Sequence, residues 1–182
     1  MLVPTALEAE ALRTGWPLEV CGFGLAAAGV GAMAAISRHR PSAIVLAGLA
    51  GTYDAHRVPP ASVVVPGNVR CVGIGAGGRT AAELGFAASD EVPLAHGEGL
   101  ALSVTEASGS PQAAAARSAE HRGAMIEEME GYAVALAAVT AELSCTMVRG
   151  ISNQAGVRDR AQWCIEAALA AVQRELDSMA GR

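Results

Sequence analysis

The chain has no lysine: all thirteen of its basic residues are arginine. Schiff-base chemistry on a lysine amine, and phosphate binding by the lysine of a P-loop, are therefore excluded. Aromatic residues are scarce, at 3%. The net charge is −5 and there is no basic run, which argues against a nucleic-acid surface. The four cysteines, Cys21, Cys71, Cys145 and Cys164, form no C-x-x-C pair, so reduced thiols are expected, with Cys145 buried in an apolar run. Glu8 and Glu10 fall where a signal peptide would need apolar residues. No apolar stretch reaches membrane-spanning length without Gly, Pro or a charge. A cytoplasmic protein is expected.

What is present is alanine and glycine in a chain of 182 residues that is 52% hydrophobic. That length suits one domain, taken here as 1–182, with a substantial core. Small residues let helices lie close on a sheet. Short apolar runs at 1–5, 19–24, 43–47, 62–65, 69–72, 100–105, 125–126 and 145–151 read as strands. The segments 6–13, 25–38, 111–121, 130–143 and 162–179 read as helices, with Pro111 suited to a first helical position. Gly48-Leu-Ala-Gly51 reads as a turn, and 66–98 resists assignment beyond the strand near 69–72. Strand and helix alternate, which predicts an α/β fold: a mixed central sheet with helices on both faces.

Four segments carry candidate chemistry. Gly22-Phe-Gly-Leu-Ala-Ala27 matches a dinucleotide fingerprint, but no acid follows the next strand until Asp54. A tight turn with close strand–helix contact accounts for those glycines, and no cofactor is expected. Glu127, Glu128 and Glu130 precede an Ala-rich helix. They form either a solvated helix start favoured by the macrodipole or a sugar site. A carboxylate has acceptor oxygens and no donor, so it suits a vicinal ribose diol, and Met129 can lie against the sugar face. Arg149-Gly-Ile-Ser-Asn153 ends an apolar strand, where open sheets bind ligands; Asn153 there either caps a turn or meets a ligand. Glu10 is a surface helix residue or a base.

Taken together, these segments resemble the nucleoside phosphorylase/nucleosidase superfamily. Ala6-Leu-Glu-Ala-Glu10 is similar to its first-strand exit, Ala47-Gly-Leu-Ala-Gly51 to its G-x-A-G segment, and Glu128-Met-Glu-Gly131 to its M-E-[GA] signature. Within it the chain resembles the futalosine hydrolases, through Gly48 to Tyr53, Met-Glu-Gly, and Arg-Gly-Ile-Ser-Asn followed by Gly156, Arg158-Asp159 and Trp163. The segment 66–98 is shorter than the family pattern. The resemblance implies that Glu10 activates the attacking water and that Glu130 binds the ribose hydroxyls. It also implies that Asn153 stands where adenine-specific nucleosidases carry an acidic Asp. Glu128, Met129, Ser152, Arg149, Ala50 and Gly51 are implied around the substrate, and Tyr53 and Trp163 as apolar walls for its 5′ substituent. The substrate is expected to be a purine nucleoside and the assembly a homodimer or larger.

Asn153 bears on which purine. A carboxamide can donate to O6 and accept from N7–H, but it supplies no proton itself. A 6-oxopurine, hypoxanthine, is expected over adenine. The stretch before Gly48 reads Val45-Leu46-Ala47, without the Arg that related phosphorylases carry there, so water is the expected acceptor. Arg13 and Arg57 are the cations to watch. The alternatives are a methylthioadenosine/adenosylhomocysteine-type nucleosidase, a purine nucleoside phosphorylase, and a nucleoside-binding protein without catalysis.

Overall fold

The computed structural model describes residues 1–85 and 89–181. In chain order the elements are β1 (Leu2–Val3), α1 (Ala6–Ala11), β2 (Glu19–Val20), α2 (Leu25–His39), β3 (Ala43–Thr52), β4 (Val63–Val64) and β5 (Asn68–Cys71). A small hairpin of β6 (Gly75–Ala76) and β7 (Arg79–Thr80) follows, then β8 (Glu91–Pro93), β9 (Leu100–Ser103), α3 (Pro111–Glu120) and β10 (Ala124–Glu128). The chain closes with α4 (Gly131–Thr140), β11 (Ser144–Gln154), a 3-10 turn (Arg160–Gln162) and α5 (Ile165–Ala180).

Nine strands make one mixed sheet. Its path runs β2-β1-β3-β10-β9-β5-β8, with β11 on the other side of β3 and β4 beyond it. The centre is the long parallel pair β3–β11, in register from Ser144 opposite Ala43 to Gln154 opposite Thr52, with one irregularity between Ile151 and Asn153. Strand β10 crosses the end of β3 antiparallel, pairing Glu127 with Gly51.

Side chains alternate along these strands as the pleat requires. Ile44, Leu46, Cys145, Met147 and Ile151 share a core with Ala28, Ala32 and Ala35 of α2 and with Val134, Ala135 and Ala138 of α4. Ala47 and Val148 face the opposite way, onto Leu169, Val172 and Leu176 of α5. Helices thus cover both faces, as expected. The alanines let α2 and α4 lie close to the sheet and to each other.

The turn expected at Gly48–Gly51 is instead continuous strand, part of β3. The physical reason is Arg149 on β11. A Cβ at Gly48 would run into the Arg149 guanidinium. Glycine keeps a central strand open here so that the neighbouring strand can carry a buried arginine. In the region 66–98, where the sequence placed only a strand near 69–72, the structure has that strand as β5 and adds the β6–β7 hairpin and β8; residues 86–88 within it lie outside the described residues.

Candidate active site

A cleft of about 270 Å³ opens where the ends of β1, β3 and β11 meet the end of β10. Glu8, Ala50, Gly51, Glu127, Glu128, Met129, Glu130, Ser152, Asn153 and Trp163 all line it.

On one side, β10 ends at Glu128 and the chain turns into α4 with Glu130 at its N-cap. Glu128 makes that turn. Its Oε2 accepts from the backbone N–H of Glu130 (3.0 Å) and Gly131 (2.7 Å), and from Arg149 Nη2. Its Oε1 accepts from Ser103 Oγ. Glu130 is less committed: Oε1 accepts from the Gly24 N–H at 3.0 Å and Oε2 from Arg149 Nη2 at 3.3 Å. Each Glu130 oxygen keeps a lone pair for a ligand, an arrangement suited to two adjacent hydroxyls. The Gly-rich segment, whose glycines were read as serving a tight turn, is thus also a backbone donor to this carboxylate.

Arg149 is fully buried beneath the two carboxylates and does not itself line the cleft. Its Nε and Nη1 have no hydrogen-bond partner. Burial works against the cation, but Glu128, then Glu130 and Glu8, hold its pKa above the ordinary value. Burial pushes the Glu130 carboxyl up, with Arg149 opposing. Glu8, Glu128 and Glu130 face a single guanidinium, so with all groups ionised this floor is net negative.

Glu8, not Glu10, is the carboxylate of α1 that reaches the cleft. Glu8 is buried and lines it, held by a hydrogen bond from Thr5 Oγ1 to Oε2. Glu10 is exposed and outside the lining, and its backbone carbonyl accepts from Arg13 Nη1 at 2.6 Å. Two residues along a helix are turned by about 200°, so both cannot face one cleft. The sequence carried a signal for this: Thr5-x-x-Glu8 is the spacing of a capping box, which draws the glutamate back toward the helix start.

Across the cleft, Asn153 ends β11. Its Oδ1 accepts from Ser152 Oγ at 2.7 Å, and its NH₂ donates to the Gln154 carbonyl (2.8 Å) and the Val157 carbonyl (3.4 Å). The NH₂ expected to meet O6 of a base is therefore spent on the loop. What Asn153 offers a ligand is the remaining lone pair on Oδ1.

Tyr53 is not a wall of the cleft. Its hydroxyl donates to Glu127 Oε2 at 3.0 Å, and burial followed by the Glu127 charge raises its pKa. Glu127, read with Glu128 and Glu130 as a solvated helix start or a sugar site, also accepts from Ser108 N–H (2.8 Å), Ser108 Oγ (2.7 Å) and Arg117 Nη1 (2.8 Å). It thereby ties the 105–110 loop, whose Ala107 lines the cleft, to the sheet. Trp163 does line the cleft, between Arg158 and Arg160, which the sequence reading also left without a role. Arg13 and Arg57 are outside the lining. Among the described residues no group of three or more His, Cys, Asp or Glu side chains is arranged to hold a metal ion.

No family model matches the chain. Two curated relatives do. A futalosine hydrolase of Streptomyces coelicolor is 32% identical over 189 aligned positions, covering 93% of this chain and 80% of the relative. A futalosine hydrolase of Thermus thermophilus is 31% identical over 209, covering 96% and 91%. Among solved structures, the futalosine hydrolase of Helicobacter pylori superposes with a TM-score of 0.82 at 15% identity, over 99% of this chain and 95% of that one. A methylthioadenosine/adenosylhomocysteine nucleosidase of Colwellia psychrerythraea in complex with adenine gives 0.81 at 18%, over 99% and 93%. The structural likenesses show the nucleosidase-like fold. The sequence likeness, over most of both chains, shows more: this chain belongs to the futalosine hydrolase family.

Proposed function

We propose that the chain hydrolyses the N-glycosidic bond of futalosine, releasing hypoxanthine and the dehypoxanthinyl ribosyl product, in bacterial menaquinone synthesis. The observation that carries the choice of base is Asn153, a neutral amide at the end of β11 in a cleft floored by carboxylates.

Breaking C1′–N9 leaves positive charge on the sugar and an electron pair on the purine. The site must favour that separated state over the ground state. The floor of Glu8, Glu128 and Glu130 over Arg149 favours a ribosyl cation. Glu130 accepts from the 2′- and 3′-hydroxyls and fixes the ring. Glu8 has one oxygen engaged by Thr5; the other takes a proton from water as the water's oxygen bonds to C1′. The electron pair of the broken bond stays on the purine, which is protonated by solvent water at N7, and Asn153 Oδ1 accepts the resulting N7–H. An adenine leaving group needs an acid at that point, and a carboxamide supplies none.

With its NH₂ held by Gln154 and Val157 carbonyls, Asn153 acts through its oxygen, and O6 must find its donor elsewhere on the cleft wall. A methylthioadenosine-type activity is the second reading, supported by the shared fold and opposed by Asn153. A non-catalytic binder is opposed by the intact Glu8.

A homodimer belongs to the same proposal. Phe23, Val30, Met33, Leu136 and Val139 are exposed apolar side chains on or beside α2 and α4, and Phe23 also lines the cleft. A cytoplasmic setting is likewise proposed; it fits cysteines that are all free.

The test is product analysis with purified protein on futalosine, methylthioadenosine and inosine, each with and without phosphate. Hypoxanthine from futalosine at a rate indifferent to phosphate is expected. Cleavage of methylthioadenosine with futalosine untouched would overturn the proposal.

A further inference from the structure

The cleft changes sign between floor and rim. Its floor is acidic, but the loop after β11 brings Arg158, Arg160 and Trp163 to the same cleft. The guanidinium carbons of Arg158 and Arg160 lie 5.2 and 5.9 Å from the centre of the indole ring. The indole is itself fixed, its Nε1–H donating to the Val157 carbonyl at 3.0 Å.

Neither guanidinium has a hydrogen bond or an ion pair among the described residues. Asp159, between them in sequence, spends its carboxylate on the Ala161 N–H and Gln162 Nε2, each at 3.1 Å. Arg38, Arg70, Arg117 and Arg149 pair with carboxylates; Arg40, Arg57, Arg122 and Arg174 form no ion pair among the described residues either, but only Arg158 and Arg160 line the cleft. In a chain of net charge −5, two exposed cations without ion pairs, held against one indole, make a local positive patch at the cleft mouth. They are a good arrangement for an anion attached to a flat ring. Guanidinium stacked on an aromatic face keeps its in-plane N–H groups free for a carboxylate.

We propose that Arg158, Arg160 and Trp163 form a subsite for an aryl carboxylate on the 5′ side of the nucleoside, the indole taking the arene and the guanidiniums its carboxylate. This rests on the futalosine assignment, since that nucleoside carries an aromatic carboxylate there. With Glu130 assigned to the sugar and Asn153 to the base, Arg158, Arg160 and Trp163 are the charged and aromatic part of the lining, Phe23 apart, that has no other role. The floor repels a carboxylate, so the same charge pattern orients the substrate: acid tail outward, neutral ribose and base inward. An oxyanion from another source, free phosphate, would meet the same guanidiniums, and the test separates the two.

The experiment compares futalosine with its carboxyl methyl ester, in the wild type and in the Arg158→Gln/Arg160→Gln protein. The wild type is expected to prefer the acid. In the double variant the acid-over-ester ratio of kcat/KM falls about tenfold to a hundredfold, mostly in KM. A ratio that does not move overturns the subsite, as does a variant whose main change is lost stimulation by phosphate. A second arm needs no turnover: benzoate quenches Trp163 fluorescence in a Trp16→Phe background and loses that effect when both arginines are replaced. Quenching without futalosine cleavage keeps the subsite and overturns the futalosine assignment. Cleavage with neither quenching nor a ratio change does the reverse.

Discussion

Arg149 Nη2 lies 3.3 Å from Glu130 Oε2, with the whole guanidinium shut off from solvent. The pair joins the strand that carries Asn153 to the helix start that would hold the sugar. Removing one member of a buried ion pair strands the other, at a cost of roughly 3–5 kcal/mol. Arg149→Met is expected to lose stability on that scale in urea unfolding. A variant as stable as the wild type would show that Glu128 and Glu130 do not depend on this cation.

Glu8 and Glu10 make a paired prediction. Glu8→Gln keeps the hydrogen bond to Thr5 within reach but cannot take a proton, so kcat should drop roughly 10²–10⁴-fold. Glu10→Gln, exposed and outside the cleft, should stay within about twofold of wild type, since surface changes of this kind are nearly neutral. Steady-state kinetics on both decides it; the reverse pattern would return the base to Glu10.

Asn153→Asp would put a carboxylate oxygen where an NH₂ now faces the Gln154 and Val157 carbonyls. That repulsion favours the protonated acid. The variant is expected to gain cleavage of 6-aminopurine nucleosides, increasingly so as pH falls. Its preference can be read from paired assays with the 6-oxo and 6-amino substrates at pH 5.5 and 8. An unchanged preference at both values would show that Asn153 does not set it.

The raised Glu130 carboxyl gives two pH effects of known sign. It must be ionised to accept from both hydroxyls, so the acid limb of kcat/KM should lie above the ordinary value of 4.5. Ionising it costs more in the folded than in the unfolded protein. Its contribution to stability is therefore intact below that ordinary value and lost as pH rises through the folded one. Glu130→Gln should remove this part of the pH dependence of unfolding. An acid limb at or below the ordinary carboxylate range would contradict the assignment.

Much of this was legible in the sequence because periodicity and punctuation survive folding. The helices 25–38 and 111–121 and the strand at 145–151 were placed by Ala-rich composition, Pro111 and an apolar run. Met129-Glu130-Gly131 and Ser152-Asn153 were found as local motifs, and the structure puts them on one cleft. What was missed depended on partners distant in sequence. Gly48 read as part of a turn because the residue that demands a glycine there, Arg149, lies about a hundred positions away. Arg149 read as a ligand contact because its burial under Glu128 is a tertiary fact. Glu127 looked like a solvated acid until Tyr53, Ser108 and Arg117 converged on it. Glu10, picked by its place in a motif, lies exposed outside the cleft that Glu8 lines; helix phase, with Leu12 buried four residues after Glu8, carried that placement.

The central claim is that a neutral amide at the end of β11 fits this cleft to a 6-oxopurine. The most direct measurement is kcat/KM for futalosine against the same nucleoside with a 6-amino group, in which nothing else differs. Lacking a general acid for adenine, the protein should favour futalosine by roughly 10²–10⁴-fold. Equal rates, or preference for the 6-amino compound, would contradict the account.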